Sequence, residues 1–192
     1  MVSEFETYLR TNTSLSSEDI EGISSTAIHR SLQRNELLLQ EGQVCRHKTF
    51  IISGLLRTYG VGADGGEHIL QFSPEYSWTL DAESYDHQKP SLFNIGAIER
   101  SEVLLWTKTD FDRLLSDIPG LRAFSQQLIS RTNHSGRQRL FTALSATPEE
   151  KYEDFVRNSP NLLSRLPLHM IAAYLGMSLK TLTRIRHAQV HR

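Results

Sequence analysis

The chain has 192 residues, of which 39% are hydrophobic and 22% are charged, as in a globular protein rather than a disordered or fibrous one. It contains no run of about 18 apolar residues, and its acidic start, MVSEFETYLR, does not resemble a signal peptide, so we expect a cytoplasmic protein without a membrane partner. The single cysteine, Cys45, excludes an internal disulfide and cannot alone hold an iron–sulfur cluster.

The net charge of −1 conceals an uneven distribution of charge along the chain. Residues 1–154 carry a net charge of −7, whereas residues 155–192 contain six Lys or Arg residues and no acid, giving +6. An acidic body with a basic end is typical of a regulatory domain joined to a nucleic-acid-binding segment. A solvated basic helix end would give the same count, so charge alone leaves both interpretations open.

The N-terminal half is predicted to contain two short helices followed by strands. Residues 3–10 and 16–28 are predicted helices, the second with a serine start signal and acids in its first turn. From about 29 to 108, short apolar runs alternate with turn signals, which predicts an antiparallel barrel or sandwich. The stretch ADGGE at residues 63–67 predicts a hairpin turn within it.

The C-terminal half is predicted to be helical. Pro119 can open a helix that we expect to run to about Ala146, roughly 40 Å long. So long a helix needs apolar partners, either its own barrel or a second copy of itself. Thr147 and Pro148 begin a further helix as N-cap and first residue. The stretch NSPNLLSRLP, residues 158–167, is predicted to be a linker to the final segment.

Residues 171–186, IAAYLGMSLKTLTRIR, have the spacing of a helix-turn-helix motif. Gly176 can take the positive φ that the turn requires, and Ser178 can cap the second helix. The positions where the two helices would touch hold small or apolar residues: Ile171, Ala172, Leu175, Met177, Leu182 and Ile185. The competing interpretation is an ordinary helical hairpin whose charges are only solvated.

The second helix of the motif is predicted to enter the major groove of DNA. Arg184 is the best candidate for direct readout, because a guanidinium can donate two hydrogen bonds to guanine O6 and N7. Lys180 could do the same or hold a phosphate. The predicted DNA-binding residues are Ser178, Leu179, Lys180, Thr181, Thr183, Arg184 and Arg186.

The sequence resembles the Crp/Fnr (catabolite activator protein) superfamily of bacterial transcriptional regulators. The similarity lies in the barrel stretch ISGLLRTYGVGADGGEHIL, the long helix after an acidic barrel, and the C-terminal motif. It implies an α+β fold: an antiparallel β-roll (jelly-roll) like a cyclic nucleotide-binding domain with flanking helices, a dimerisation helix, and a helix-turn-helix domain. The implied boundaries are 1–118, 119–146 and 147–192, the last without the family's wing strands.

The function implied by the resemblance is that of a sequence-specific DNA-binding transcriptional regulator. The resemblance implies a homodimer, whose two DNA-binding domains would bind two half-sites about 34 Å apart on double-stranded DNA. The resemblance also implies RNA polymerase and a small-molecule effector as partners. The family's frequent Arg-Glu-x-x-x-Arg triple reads Leu179, Lys180 and Arg184 here, so we expect an operator different from the family's usual one.

The predicted effector site departs from the family's nucleotide-binding pattern. The family's Gly-Glu and Arg-Ser pairs fall on Leu80 and Asp81, and on Ser91 and Leu92. Leucine blocks close backbone approach and serine removes the phosphate's countercharge, so we predict no cyclic AMP binding in the usual way. No cofactor is predicted, and the one candidate is a cyclic nucleotide, the ligand of the family's nucleotide-binding members. The candidate effector-binding residues are Asp81, Glu83, Lys89, Ser91, His134 and Ser135.

A barrel of this type is compatible with two other functions. A metal enzyme of the cupin type shares the barrel but needs a His-x-His triplet, and none occurs in the sequence. Nucleophile-elbow, P-loop and Cys-x-x-Cys motifs are also lacking, so we predict neither an enzyme nor a metal site. The alternative that remains is a ligand-sensing or protein-interaction module of the same fold with a degenerate DNA-binding end.

Overall fold

The computed structural model describes residues 2–190, with side chains described as far as residue 188. The helices are α1 (Val2–Asn12), α2 (Ser17–Ser25), α3 (Ala82–His87), α4 (Lys108–Asp117), α5 (Pro119–Ser145), α6 (Pro148–Asn158), α7 (Pro160–Leu163), α8 (Leu168–Leu175) and α9 (Leu179–Val190). The strands are β1 (Ile28–Leu32), β2 (Leu37–Leu39), β3 (His47–Ser53), β4 (Leu56–Val61), β5 (Glu67–Ser73), β6 (Trp78–Thr79), β7 (Asn94–Ala97) and β8 (Ser101–Thr107). None of the helices in this range is long and apolar enough to cross a bilayer.

Among the described residues, the strands form two four-stranded sheets in the orders β1-β8-β3-β6 and β2-β7-β4-β5. Strands distant in sequence are neighbours, and the recorded pairings are antiparallel, as in a β-roll. The predicted hairpin at residues 63–67 joins β4 to β5. Its turn has Gly65 at φ 78° and a hydrogen bond from the Gly62 N–H to the Gly66 carbonyl. The predicted β-roll is therefore confirmed.

The first sheet separates two apolar clusters, because successive side chains of a strand point to opposite faces. One face packs against α1, α2, α4 and the start of α5. This cluster, the outer core, includes Phe5, Ile23, Phe50, Leu104, Trp106, Phe111 and Phe124. The other face packs against the second sheet. That cluster, the inner core, consists of Leu32, Leu39, Cys45, Ile51, Leu56, Tyr85, Ile95, Ala97, Val103 and Leu105.

The long helix α5 confirms the predicted helix that opens at Pro119. Leu121 and Phe124 are buried in the outer core and Leu128 packs against it. The β-roll of the same chain therefore covers the first turns of α5. Further along the helix, large apolar side chains are more than half exposed: Ile129 (55%), Leu140 (60%), Phe141 (65%) and Leu144 (80%). The part of the chain that the structure describes leaves this second stripe uncovered.

Two sequence predictions differ from the structure at element ends. The predicted helix 16–28 ends at Ser25, because β1 begins at Ile28 and needs extended backbone there. The predicted linker 158–167 contains a one-turn helix, α7, whose Pro160 sits at a first-turn position where no amide donor is needed. The N-cap at Thr147 is confirmed, and Glu150 completes a capping box with it.

The chain divides into two compact units. The first comprises residues up to Gly60 together with Leu70–Leu128, and the second comprises Val61–Ile69 together with the residues from Ile129 onward. The division falls inside α5 rather than at its ends. The domain boundaries expected from the sequence, 1–118, 119–146 and 147–192, therefore stay predictions.

Candidate functional site

Helices α8 and α9 form the helix-turn-helix geometry that the sequence predicts. Gly176 ends α8 at φ 66°, and the Gly176 and Met177 N–H groups donate to the Ala172 carbonyl. The predicted contact residues Ile171, Ala172, Leu182 and Ile185 are each no more than 3% exposed, whereas Leu175 and Met177 are half-buried. Close helix contact therefore rests on the small and branched side chains expected there.

The first turn of α9 is organised by its own side chains. Ser178 Oγ accepts a hydrogen bond from the Thr181 N–H (3.1 Å) and lies 2.9 Å from Thr181 Oγ1, which confirms Ser178 as the N-cap. Thr183 Oγ1 donates to the Leu179 carbonyl at 2.9 Å. Thr181 and Thr183 thus keep acceptor capacity toward solvent.

Basic side chains extend from the outward face of α9. Lys180, Arg184 and Arg186 are exposed, as is Leu179 at 47%. The Arg184 guanidinium is paired, since its Nη2 lies 3.3 Å from Glu149 Oε1 on α6. Glu149 lies in the first turn of α6, where the helix dipole favours an acid.

A half-buried arginine joins three segments of the second compact unit. Arg139 on α5 donates from Nη2 to the Ile69 carbonyl (3.0 Å) and to the Tyr174 carbonyl on α8 (3.1 Å). Its guanidinium carbon lies 3.8 Å from the centre of the Tyr174 ring. Burial lowers the pKa of Arg139 from its usual value. Sequence reasoning missed this residue, because its partners are backbone carbonyls that leave no pattern in the sequence.

Two of the six predicted effector residues are brought together in the first unit. Ser91 Oγ lies 2.5 Å from Asp81 Oδ2, and the Ser91 side chain is buried. Asp81 also caps α3 by accepting from the Ser84 N–H at 3.3 Å, and Ser91 Oγ accepts from the Phe93 N–H at 3.0 Å. The two side chains therefore hydrogen-bond to each other and to the local backbone.

The other four predicted effector residues are solvent-exposed. Glu83 lies on α3 and Lys89 just after it, and the Lys89 carbonyl accepts a hydrogen bond from Ser84 Oγ. His134 and Ser135 are exposed on α5 within the second unit. In the described residues, no three His, Cys, Asp or Glu side chains are grouped closely enough to hold a metal ion.

Residues 29–117 match the family described as the cyclic nucleotide-binding domain. FixK2 from Bradyrhizobium japonicum is 18% identical over 86% of this chain and 84% of its own, with a TM-score of 0.73. The c-di-GMP-responsive regulator CLP from Xanthomonas campestris is 12% identical over 92% and 93%, with a TM-score of 0.76. A Crp/Fnr-family regulator from Eubacterium rectale is 17% identical over 96% and 88%, with a TM-score of 0.73. The chain has the fold of the Crp/Fnr regulators.

The curated proteins include no match to this chain. The family's nucleotide-binding pairs are predicted from the sequence at Leu80 and Asp81 and at Ser91 and Leu92. Here Leu80 packs against the inner core, and Leu92 is 70% exposed. A neutral Ser91 bound to a carboxylate gives an incoming phosphate no cation at this position.

Proposed function

We propose that the chain is a sequence-specific DNA-binding transcriptional regulator of the Crp/Fnr type, and not an enzyme. In this proposal residues 1–118 form the sensor, 119–146 the dimerisation helix and 147–192 the DNA-binding domain. Binding double-stranded DNA would place the protein in the cytoplasm. The DNA-bound regulator would interact with RNA polymerase, and a small-molecule effector would control its activity.

The observation that carries the proposal is the two-sided character of α9. Leu182 and Ile185 are at most 2% exposed, in a helix that packs against α8 and α6, whereas Lys180 and Arg184 of the same helix are exposed. This helix belongs to a 38-residue segment, 155–192, that contains no acid. A rigid helix with an exposed cationic start is the element that reads base edges in the major groove.

The proposed homodimer rests on the uncovered stripe of α5. Ile129, Leu140 and Leu144 lie on one side of the helix, at intervals of 11 and four residues. A second copy of the same helix would cover this stripe in a two-fold arrangement. Two recognition helices related in this way would address the two halves of a palindromic site.

The proposed sensor is a roll that does not bind cyclic AMP in the family's usual way. Support comes from the Asp81–Ser91 hydrogen bond and from Leu80, a side chain packed against the inner core at a position where the family's pattern has glycine. The six candidate effector residues stay a proposal. Titration of the protein with cyclic AMP by calorimetry would test it, and heat of binding that is lost in Ser91→Ala would contradict it.

DNA binding is tested by fluorescence anisotropy of the full chain on selected genomic fragments at several salt concentrations. We expect the logarithm of the association constant to fall linearly with the logarithm of salt, by about 0.9 for each phosphate neutralised. Arg184→Ala should cost about 1–3 kcal/mol on the preferred site. The matched control is Arg157→Ala, an exposed arginine of the same acid-free segment that lies on α6.

Equal losses in Arg184→Ala and Arg157→Ala would mean that α9 contributes only charge and reads no bases. DNA binding that does not depend on salt, or no binding to any fragment, would contradict the proposal that the chain is a DNA-binding regulator. The result would then favour the alternative module, in which the sensor roll is kept and the DNA-binding end is degenerate.

A further inference from the structure

The inner face of the first sheet carries polar side chains as well as apolar ones. Ile51 and Val103 on this face are fully buried and apolar, as the interior of a β-roll requires. Alternation along β1 and β3 places Arg30, His47 and Thr49 on the same face. Polar residues at inward positions of two strands of one sheet need a reason, because apolar residues would bury more favourably there.

These side chains line a cavity of about 450 Å³ inside the first compact unit. Its apolar wall is part of or packs against the inner core. The lining residues on this wall are Leu38, Leu39, Val44, Cys45, Leu80, Ile95 and Leu105. The polar lining consists of Arg30, Gln43, Arg46, His47 and Thr49. The six predicted effector residues are not among its lining residues, and its volume is within the usual range for small-ligand sites.

Arg30, Arg46 and His47 form the basic end of the cavity. Acidic side chains balance the positive charge of this end only in part. Arg30 is paired with Glu36 at 2.8 Å, whereas Arg46 is exposed and forms no ion pair with any described residue. Burial lowers the pKa of His47, and the charges of Arg30 and Arg46 lower it further. An anion at this end would relieve the repulsion among these groups and could accept hydrogen bonds from them.

We propose that this cavity binds a small organic carboxylate with an apolar body, such as a medium-chain fatty acid or an arylalkanoic acid. The carboxylate lies at Arg46 and His47, and the apolar body lies against Leu38 and the other apolar wall residues. A nucleotide fits this lining poorly, because its base and ribose would meet a largely apolar wall. Binding itself rests on the cavity alone, and only its effect on DNA affinity rests on the proposed function.

The test uses the full chain with octanoate and 4-phenylbutyrate as probes, and octan-1-ol and acetate as controls. Calorimetry should give a dissociation constant of about 1 mM or tighter for the two probes. The neutral alcohol and the short acid should bind at least about tenfold more weakly, because each lacks one half of the recognised structure. Cys45 lines the cavity and is the only cysteine, so its alkylation by iodoacetamide should slow when a probe is bound.

Two variants locate the site. Arg46→Gln should weaken octanoate about tenfold or more, and Leu38→Trp should fill the cavity and abolish both binding and the protection of Cys45. The matched control for Arg46→Gln is Arg34→Gln, an exposed arginine of the same unit that does not line the cavity. Thermal unfolding of each variant confirms that it is folded before its affinity is compared.

Three results would overturn the proposal: no binding of either probe at millimolar concentration, equal binding of octanoate and octan-1-ol, or wild-type affinity in both Arg46→Gln and Leu38→Trp. These outcomes are distinguishable from failure of the regulator. Loss of salt-dependent DNA binding would leave the octanoate isotherm unchanged, and loss of octanoate binding would leave the DNA titration unchanged. If both hold, octanoate should change the DNA affinity of the wild type and not that of Leu38→Trp.

Discussion

Arg184 on α9 and Glu149 on α6 form an ion pair of 3.3 Å between Nη2 and Oε1. The arginine proposed to read a base is therefore paired with an acid of the neighbouring helix. Both side chains are at least half exposed, so the pair is weak and can exchange for a stronger partner. A guanine edge that offers two acceptors is such a partner.

Glu149→Gln should raise DNA affinity, because Arg184 then binds without first breaking an ion pair. An exposed pair contributes about 0.2–1 kcal/mol, so we expect a gain of roughly 1.5- to fivefold at low salt that shrinks as salt rises. Anisotropy titrations on the preferred site measure it. Glu153→Gln, an exposed acid on the same helix, controls for the change in net charge. Equal gains in the two variants would indicate a general charge effect and no competition for Arg184.

The helix-turn-helix could be predicted from the sequence because each of its requirements is local. Gly176 for the turn, Ser178 for the cap and Leu182 for the contact stand at fixed offsets within 16 residues. The Arg184–Glu149 pair could not be predicted, since its members are 35 residues apart and exposed side chains follow no periodicity. Only the packing of α6 against α9 brings the two together.

The effector site shows a different limit of sequence reasoning. The family's nucleotide-binding pairs fall on positions that include Asp81 and Ser91. Nothing in the sequence indicates that these two side chains hydrogen-bond to each other. The cavity has no sequence signature, because its lining comes from β1, β2, β3, β7, β8, the loop before β3 and Leu80 after β6. Non-consecutive strand order places these segments side by side, and a single sequence does not encode that order in any local pattern.

Leu140→Glu should convert the proposed dimer into a folded monomer. Leu140 is 60% exposed in one chain, and a charge at this position would be desolvated in the proposed helix pair. The control is Gln138→Glu, which adds the same charge about 160° away around the helix. Sedimentation at micromolar concentration should give a monomer for the first variant and a dimer for the second. Dimers in both cases would place the interface elsewhere.

Lys48 should make stability depend on pH. Lys48 is 9% exposed, and its Nζ lies 3.2 Å from Ser125 Oγ and 4.5 Å from the centre of the Phe111 ring of the outer core. Burial lowers the pKa of Lys48 from 10.5 to about 8, and the negative charges of Asp86 and Asp112 oppose this shift. Between these two values the unfolded chain keeps a proton that the folded chain has lost, so the free energy of unfolding rises with pH.

Lys48→Met should therefore be more stable than the wild type below about pH 8, by about 1–3 kcal/mol, and its advantage should shrink between pH 8 and 10. Urea denaturation at pH 7 and 9.5 measures the difference. Lys89→Met, at an exposed position of the same unit, should leave the stability unchanged at both pH values. A Lys48→Met variant that is less stable at pH 7 would mean that the surrounding rings hold the ammonium charged.

Arg139 should be required for its geometry rather than for its charge. Arg139→Gln removes the hydrogen bonds to the Ile69 and Tyr174 carbonyls and leaves both acceptors without a charged donor, at a cost of about 1.5–3 kcal/mol. Arg139→Lys keeps the charge but lacks the planar fork that stacks on Tyr174, so it should recover less than half of the loss. Arg137→Gln, exposed on the same helix, is the control for charge.

Hydrogen exchange of the α8 amides is the measurement that locates the effect of Arg139. Because the guanidinium holds the Tyr174 carbonyl near the end of α8, amides of this helix should exchange faster in Arg139→Gln and stay protected in Arg137→Gln. DNA affinity should fall with the lost protection, since α9 is positioned by its contact with α8. Wild-type protection and affinity in Arg139→Lys would show that a positive charge suffices and that stacking on Tyr174 contributes nothing.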